Sequence, residues 1–333
     1  MGERFWLGER VQRLGGRSIV ALMSKRVRIT DVSPRDGLQN EAGVIATADK
    51  VRLIELLCAT GVGEIEVTSF VSPKWVPQLG DARAVFEGLS RVDVSEAAVL
   101  FSALVPNEAG MAAAEEVHRT PSLLEKVSVF TAASETFCRK NINSTIGESL
   151  SRFEPVVQRA GAACGGALMV RGYISCVIAC PFEGPIAPER VVEVAERLAA
   201  MGIPEIDLGD TIGSATPESL RRLLEHFGER LGMGGEPPAL TLHLHDTFGR
   251  AAECVKTALE MGVRSFDGSV AGLGGCPYAS TPGKRAPGNI DTGLLVRTIE
   301  DAGYETGVDL GRLEVAAEFA RGIVAKARAG AAG

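Results

Sequence analysis

A chain of 333 residues, 45% hydrophobic and 23% charged, has the composition of an ordinary folded protein with enough residues for a large core. Its net charge of −7 argues against a general nucleic-acid or membrane-surface binder, so a bound anion needs a local cluster of cations. No apolar run reaches the roughly 18 residues of a transmembrane helix. Seven scattered cysteines suit a reducing compartment better than a disulfide framework, and we therefore predict a cytoplasmic protein with no nucleic-acid or membrane partner.

The first 24 residues differ from the rest of the chain. They contain four arginines together with Glu3 and Glu9, and the apolar stretch 19–23 is too short for a secretory signal. A transit peptide is normally poor in acidic residues. We predict that residues 1–24 are an extension outside the core, with the mitochondrial matrix as the alternative location if they direct import.

From residue 27 onward, apolar strand-like runs alternate with amphipathic helical stretches. The predicted strands cover residues 27–33, 64–70, 98–105, 126–132, 171–176, 205–210, 240–245 and 265–270. The clearest predicted helices cover 47–60, 147–164, 188–201, 217–231 and 250–261, and a last one covers 310–328. Pro188 and Pro217 fit helix starts, with Thr216 as a cap, and Gly61 and Gly202 fit helix ends.

Eight strands with helices between them predict an α/β fold. The expected architecture is a closed parallel (β/α)8 barrel, a TIM barrel, with an additional C-terminal helix. An open doubly wound sheet is the alternative, but it usually has a glycine-rich turn after the first strand, and residues 33–37 form no such turn. Because no linker or repeat divides the chain, we predict one catalytic barrel over 25–328 and a flexible tail over 329–333.

Polar side chains collect where the predicted strands end, which is where barrels of this kind place their active sites. Arg35 and Asp36 follow the first strand, and Glu66 lies on the second. Asp207 and Asp210 lie on the sixth. A helix cap or a structural ion pair explains any one of these carboxylates equally well. Their repetition at several strand ends favours an active site.

Two of the four histidines, His243 and His245, lie one residue apart at the end of the seventh strand. Alternate residues of a strand share a face, so the two imidazoles point the same way. A solvated strand face is the alternative, but this strand is otherwise apolar. With Asp36 and the amide of Asn289, the pair makes a mixed nitrogen and oxygen donor set. Such a set suits Mg²⁺ or Mn²⁺, with Fe²⁺ or Zn²⁺ left open.

A glycine-rich loop follows the eighth strand. Gly272, Gly274 and Gly275 make it mobile, and Pro277 stiffens the far side of Cys276. A thiol on such a loop can close over a ligand and exchange a proton, whereas a small buried thiol is the usual fate of cysteine. Three neighbouring glycines are unusual for a core cysteine, so we predict a functional role for Cys276.

Five segments closely resemble the 3-hydroxy-3-methylglutaryl-coenzyme A (HMG-CoA) lyase family: 31–41, 68–78, 139–143, 208–213 and 271–278. The wider family includes isopropylmalate and homocitrate synthases. The resemblance implies an oxo-acid lyase that cleaves HMG-CoA, or a closely related 3-hydroxyacyl-CoA, to acetyl-CoA and acetoacetate or the corresponding keto acid. It also implies a homodimer and a divalent metal, with leucine degradation as one pathway. The alternative is a condensing synthase that uses acetyl-CoA and an α-keto acid, a class that usually carries more chain after the barrel.

The resemblance also implies roles for individual residues. Four match the metal ligands of the family: Asp36, His243, His245 and Asn289. Arg35 matches the residue that steadies the enolate of the thioester, and Glu66 and Asp210 match its supporting acids. Cys276 matches the loop thiol that protonates the acetyl-CoA carbanion. Metal binding makes the substrate hydroxyl more acidic, and His243 or Asp36 can receive its proton.

One stretch departs from the family in a way that leaves the acyl chain open. Residues 280–287, between Tyr278 and Asn289, are longer than the family pattern and contain Lys284 and Arg285. We expect these two cations to lie near a phosphate of coenzyme A, and a solvated surface loop is an equally good alternative.

Overall fold

The computed structural model describes residues 25–92, 98–120, 122–163, 167–232, 238–275 and 288–331. The predicted N-terminal extension over 1–24 lies outside the described residues. The strands in chain order are β1 (Arg28–Asp31), β2 (Glu64–Ser69), β3 (Leu100–Leu104), β4 (Leu124–Ala132), β5 (Met169–Ser175), β6 (Ala179–Cys180), β7 (Gly184–Pro185), β8 (Glu205–Asp210), β9 (Ala239–Leu244) and β10 (Ser265–Gly268).

Eight of these strands close into a parallel barrel. Their order is β1-β10-β9-β8-β5-β4-β3-β2, and β1 pairs with both β10 and β2 to complete the ring. The predicted TIM barrel is therefore confirmed. Strands β6 and β7 form a separate antiparallel hairpin after β5, which the sequence analysis did not predict.

Helices surround the barrel. They are α1 (Thr47–Cys58), α2 (Ala82–Leu89), α3 (Glu108–Arg119), α4 (Glu135–Ile142), α5 (Ile146–Gly161), α6 (Pro188–Ala200), α7 (Pro217–Leu231), α8 (Ala251–Glu260), α9 (Thr292–Asp301) and α10 (Leu310–Ala331). Thr216 caps α7 by accepting a hydrogen bond from the Ser219 backbone N–H, and Gly61 and Gly202 have positive φ after helix ends, as predicted. None of the helices in the described part of the chain is long and apolar enough to cross a membrane.

Several predicted boundaries are wrong for local reasons. Strand β1 ends at Asp31, two residues before the predicted limit, because Ser33–Gly37 winds into a wide helical turn. Strand β10 ends at Gly268 and is followed by a tight turn over Val270–Gly272. The last helix continues three residues beyond residue 328, to Ala331. Its final turns are held by the Arg328 guanidinium, whose Nε lies 2.7 Å from Glu41 Oε2.

The lower interior of the barrel is ionic. The Lys126 ammonium lies 2.6 Å from Glu64 Oε2 and 2.7 Å from Glu205 Oε2, all three side chains being buried. The buried Arg171 guanidinium also contacts both glutamates, at 3.1 and 2.8 Å. Burying charge is tolerated only when each ion is paired, and here every one of these ions has at least two partners of opposite sign. Arg171 also extends upward to Asp267, at 3.2 Å, and so connects this cluster to the mouth of the barrel.

Candidate active site

The structure brings three of the predicted metal ligands together at the C-terminal ends of the strands. One ligand atom each from Asp36, His243 and His245 lies within 4.8 Å of the others. The Nε2 atoms of the two histidines are 3.3 Å apart, and both side chains are buried. The shared direction of the two imidazoles is therefore as predicted from their spacing in the strand.

The fourth predicted ligand, Asn289, is carried across the site by backbone pairing. His245 and Asn289 form an isolated antiparallel bridge. The Asn289 Nδ2 donates hydrogen bonds to Asp36 Oδ2, at 2.8 Å, and to the Leu273 carbonyl, at 2.9 Å. Among the described residues, none donates a hydrogen bond to the buried Asn289 Oδ1. A buried acceptor without a donor is costly, and a cation beside it removes that cost, so this oxygen fits a metal ligand.

The charges of the cluster also suit a divalent cation. Burial raises the pKa of Asp36, but the charge of Arg35 and then those of the two histidines outweigh this and lower the pKa to about 2. Burial, together with His243, lowers the pKa of His245 to about 4. At neutral pH the site therefore offers a carboxylate and a neutral imidazole, which are the protonation states that metal binding requires.

Arg35 is held beside this cluster by two carboxylates. Its Nε donates to Glu66 Oε2 and its Nη1 donates to Asp36 Oδ1 at 2.7 Å. The buried Glu66 is itself fixed, because its Oε1 accepts a hydrogen bond from Ser128 Oγ at 2.6 Å. The guanidinium carbon lies 5.6 Å from the centre of the Tyr173 ring. These contacts fix a cation directly beside the predicted metal ligands.

Asp210, a predicted supporting acid, contacts the loop that follows β8. Its carboxylate accepts hydrogen bonds from the backbone N–H groups of Ser214 and Ala215, at 3.0 and 2.7 Å. Burial raises its pKa despite these bonds. The structure therefore places Asp210 under the loop that follows β8, and the described contacts do not bring it to the metal ligands.

A cavity of about 950 Å³ opens from the cluster to the surface. Its inner wall includes Arg35, Asp36, both histidines and Tyr173. Its outer wall carries cations on α4 and α5, namely Arg139, Lys140 and Arg152, and the exposed indole of Trp75. The cavity thus combines a carboxylate, two imidazoles and a guanidinium at its base with three cations at its rim.

A model of the family described as HMGL-like matches residues 26–320 of this sequence. That match covers most of the chain, including every described residue of the cluster. The chain belongs to the HMGL-like family.

Individual relatives agree with this assignment. The mitochondrial hydroxymethylglutaryl-CoA lyase of Gallus gallus is 45% identical over 289 residues, which are 87% of this chain and 90% of that protein. The HMG-CoA lyase structure from Brucella melitensis is 44% identical, with a TM-score of 0.81, covering 90% of this chain and 99% of that one. A structure of an HMG-CoA lyase from Acinetobacter baumannii, in complex with coenzyme A and 3-methylmalate, is 33% identical with a TM-score of 0.78, covering 91% of this chain and 92% of that one.

Three predicted site residues of this HMGL-like chain, Cys276, Lys284 and Arg285, lie outside the described residues. The loop that leads to them is described as far as Gly275, and it packs against two of the predicted metal ligands, Asn289 and Asp36. At Gly274, where φ is +96°, an added Cβ would lie 2.6 Å from Asn289 Nδ2 and 3.0 Å from Asp36. Only glycine therefore lets the backbone approach Asn289 and Asp36 this closely. Close packing explains the glycine here, whereas the sequence suggested mobility of the loop.

Two further side chains, which were not predicted from the sequence, contact the cluster. Asp267 Oδ2 lies 3.1 Å from His243 Nδ1, and the Tyr173 ring meets the His243 ring edge-on with centroids 6.2 Å apart. Both are polar residues at buried, inward positions of barrel strands. That signal was present in the sequence, because Asp267 follows Phe266 in the alternating pattern of the eighth strand.

Proposed function

We propose that this HMGL-like chain is a carbon–carbon lyase that cleaves HMG-CoA to acetyl-CoA and acetoacetate. The observation that carries this proposal is the buried cluster of Asp36, His243, His245 and Asn289, with the Arg35 guanidinium fixed beside it. These four residues would hold a Mg²⁺ or Mn²⁺ ion, which when bound would make a substrate hydroxyl group more acidic. Such chemistry is what cleavage of a 3-hydroxy thioester next to its hydroxyl-bearing carbon needs.

Separate side chains of this protein remove the proton, stabilise the developing charge and return a proton. The substrate hydroxyl must lose a proton, and the anionic Asp36 carboxylate and the His243 imidazole are the bases beside it. The bond between carbons 2 and 3 then breaks, so that the hydroxyl-bearing carbon becomes the ketone of acetoacetate. The electron pair of that bond passes to the thioester as an enolate, whose oxygen the guanidinium of Arg35 stabilises. Because Glu66 and Asp36 hold Arg35 in place before the substrate arrives, little reorganisation is needed. We assign Cys276 as the donor that protonates the resulting acetyl-CoA carbanion, as the family resemblance implies.

The outer cavity supports a coenzyme A thioester as the substrate. The protein carries a net charge of −7, yet Arg139, Lys140 and Arg152 gather at the rim of the cavity. Coenzyme A carries phosphates, and cations at the rim can bind these phosphates while the thioester lies at the base of the cavity. The relative from A. baumannii was solved with coenzyme A. We propose that Lys284 and Arg285 add to this basic rim.

The proposal is tested by incubating the purified protein with HMG-CoA and either Mg²⁺ or Mn²⁺ and measuring acetoacetate. We expect release that depends on the metal and is lost in His245→Ala, because that variant lacks one ligand. The condensing synthase is tested in parallel with acetyl-CoA and an α-keto acid. Consumption of the keto acid without acetoacetate release from HMG-CoA would replace the lyase by the synthase. A panel of related 3-hydroxyacyl-CoA thioesters then defines the acyl chain.

The cytoplasmic location, the mitochondrial matrix alternative, the homodimer and the place in leucine degradation stay predictions. Size-exclusion chromatography with light scattering tests the dimer directly. The choice between Mg²⁺ and Mn²⁺ is tested by comparing rates after metal removal and replacement.

A further inference from the structure

Asp267, on β10, is the carboxylate in contact with the ring nitrogen of His243 that faces away from His245. Its Oδ2 lies 3.1 Å from His243 Nδ1, while the Nε2 of the same ring faces His245. The side chain of Asp267 is 98% buried, since its relative exposure is 2%. The contact is therefore shielded from water, and its geometry is that of a carboxylate supporting a metal-binding imidazole.

Asp267 is itself fixed by two further donors. Its Oδ1 accepts from Arg171 Nη1 at 3.2 Å, and its Oδ2 also accepts from the Tyr173 hydroxyl at 3.3 Å. Arg171 is anchored in turn by Glu64 and Glu205 in the ionic interior of the barrel. These contacts hold the carboxylate in place, and its contact with Nδ1 in turn holds the His243 ring.

This contact selects one tautomer of His243. A carboxylate at Nδ1 keeps the ring proton on Nδ1 and leaves the Nε2 lone pair free on the side that faces Asp36 and His245. The opposite tautomer would place a hydrogen on Nε2, where a metal ion could not bind. The orientation of the ring and the location of its proton thus depend on the same residue.

We propose that Asp267 is a positioning residue that fixes the tautomer and orientation of His243 for metal binding. The inference rests on the metal site proposed above and extends it to a residue that contacts neither metal nor substrate. Glu205, on β8, supplies a control in which a buried carboxylate is also lost. It lies 2.8 Å from Arg171 Nη2, at the end of that side chain away from the metal ligands, and the described contacts connect it to neither Asp267 nor His243.

The test compares Mn²⁺ affinity in the wild-type protein, Asp267→Asn and Glu205→Gln, by electron paramagnetic resonance without substrate. An asparagine at 267 can present an N–H to Nδ1 and so favour the wrong tautomer. We expect Asp267→Asn to weaken Mn²⁺ binding by roughly 10- to 100-fold, and Glu205→Gln to change it by less than about threefold, because Glu64 still anchors Arg171. An unchanged affinity in Asp267→Asn, or an equal loss in both variants, would overturn the proposal.

A second measurement needs no variant and no metal. Long-range nitrogen–proton NMR of the metal-free protein at a pH where His243 is neutral reports which ring nitrogen carries the proton. We expect Nδ1–H, and observation of the Nε2–H tautomer would overturn the proposal even if Asp267→Asn does not fold. Absence of Mn²⁺ binding by the wild-type protein would instead refute the proposed metal-dependent function, while the NMR result would still decide the role of Asp267.

Discussion

Replacing Arg35 with lysine tests whether the forked geometry of the guanidinium, and not only its charge, supports the reaction. The guanidinium contacts Glu66 through Nε and Asp36 through Nη1, on two sides of a planar group. A lysine ammonium is a single point of charge on a flexible chain and cannot reproduce both directions. Arg35→Lys therefore keeps the cation but loses one of its two carboxylate contacts.

The size of the effect follows from that lost contact. A hydrogen bond involving a charged group contributes roughly 1.5–3 kcal/mol, which corresponds to about 10- to 150-fold in rate if it is lost from the transition state. We expect Arg35→Lys to lower kcat for acetoacetate release by that factor. Burial lowers the pKa of Arg35, but Glu66 and then Asp36 outweigh this and raise the pKa well above its usual value, so the wild-type group stays charged at every assay pH.

Arg152→Lys is the matched control, because Arg152 lines the same cavity at its exposed rim. The same exchange there retains a charge near solvent, and we expect kcat to change by less than about threefold. Mn²⁺ affinity and thermal melting are measured for both variants, to separate catalysis from metal loss and unfolding. A kcat for Arg35→Lys within threefold of wild type, or an equal loss in Arg152→Lys, would refute the reasoning.

Three further outcomes are expected. Metal affinity should fall about tenfold per pH unit once the pH drops below the pKa of His243, because a bound proton competes with the metal. Burial lowers this pKa, but the hydrogen bond and charge of Asp267 outweigh burial, so the pKa lies above its usual value. Calorimetric titration across pH checks this, and a flat profile would contradict it. Lys126→Met should cost about 3 kcal/mol of unfolding free energy in urea, because Glu64 and Glu205 each lose a buried partner while keeping Arg171; a loss under about 1 kcal/mol would contradict it. Thr216→Ala should cost about 1 kcal/mol through loss of the α7 cap with kcat unchanged, measured by the same unfolding experiment and the lyase assay.

Local sequence pattern was sufficient for the parts of the site that lie on regular strands. His243 and His245 alternate on one strand, so their common direction follows from the period of two. Arg35, Asp36 and Glu66 could be assigned to strand ends, and barrel closure then brings those ends together. The barrel itself was predictable because each apolar strand run is followed by a helical one.

Strand register and loop path were beyond the sequence pattern. The pairing of Asp267 with His243 depends on the register of β10 against β9, where Asp267 lies opposite His243. The contacts of Asp210 depend on the path of the loop after β8, which brings the Ser214 and Ala215 N–H groups to its carboxylate. Neither the register nor the loop path is encoded in the type or spacing of the residues alone.

The net charge at the base of the cavity predicts which part of the substrate the enzyme selects. Arg35 and Arg171 are cations, whereas Asp36, Glu66 and Asp267 are anions, and the balance of one negative charge attracts a divalent ion. Binding that ion leaves one positive charge, which the free carboxylate of HMG-CoA can neutralise.

With Mn²⁺ present, we expect 3-hydroxy-3-methylbutyryl-CoA, which lacks this carboxylate, to bind roughly 10- to 150-fold more weakly than HMG-CoA. Without the ion the base of the cavity is negative and the preference should disappear. Calorimetry with and without Mn²⁺ measures both differences at low temperature in the Arg35→Lys variant, which keeps the same balance of charge and is expected to cleave HMG-CoA slowly. A preference of equal size in the two conditions would show that carboxylate recognition comes from residues elsewhere in the cavity and not from the charge of the metal cluster.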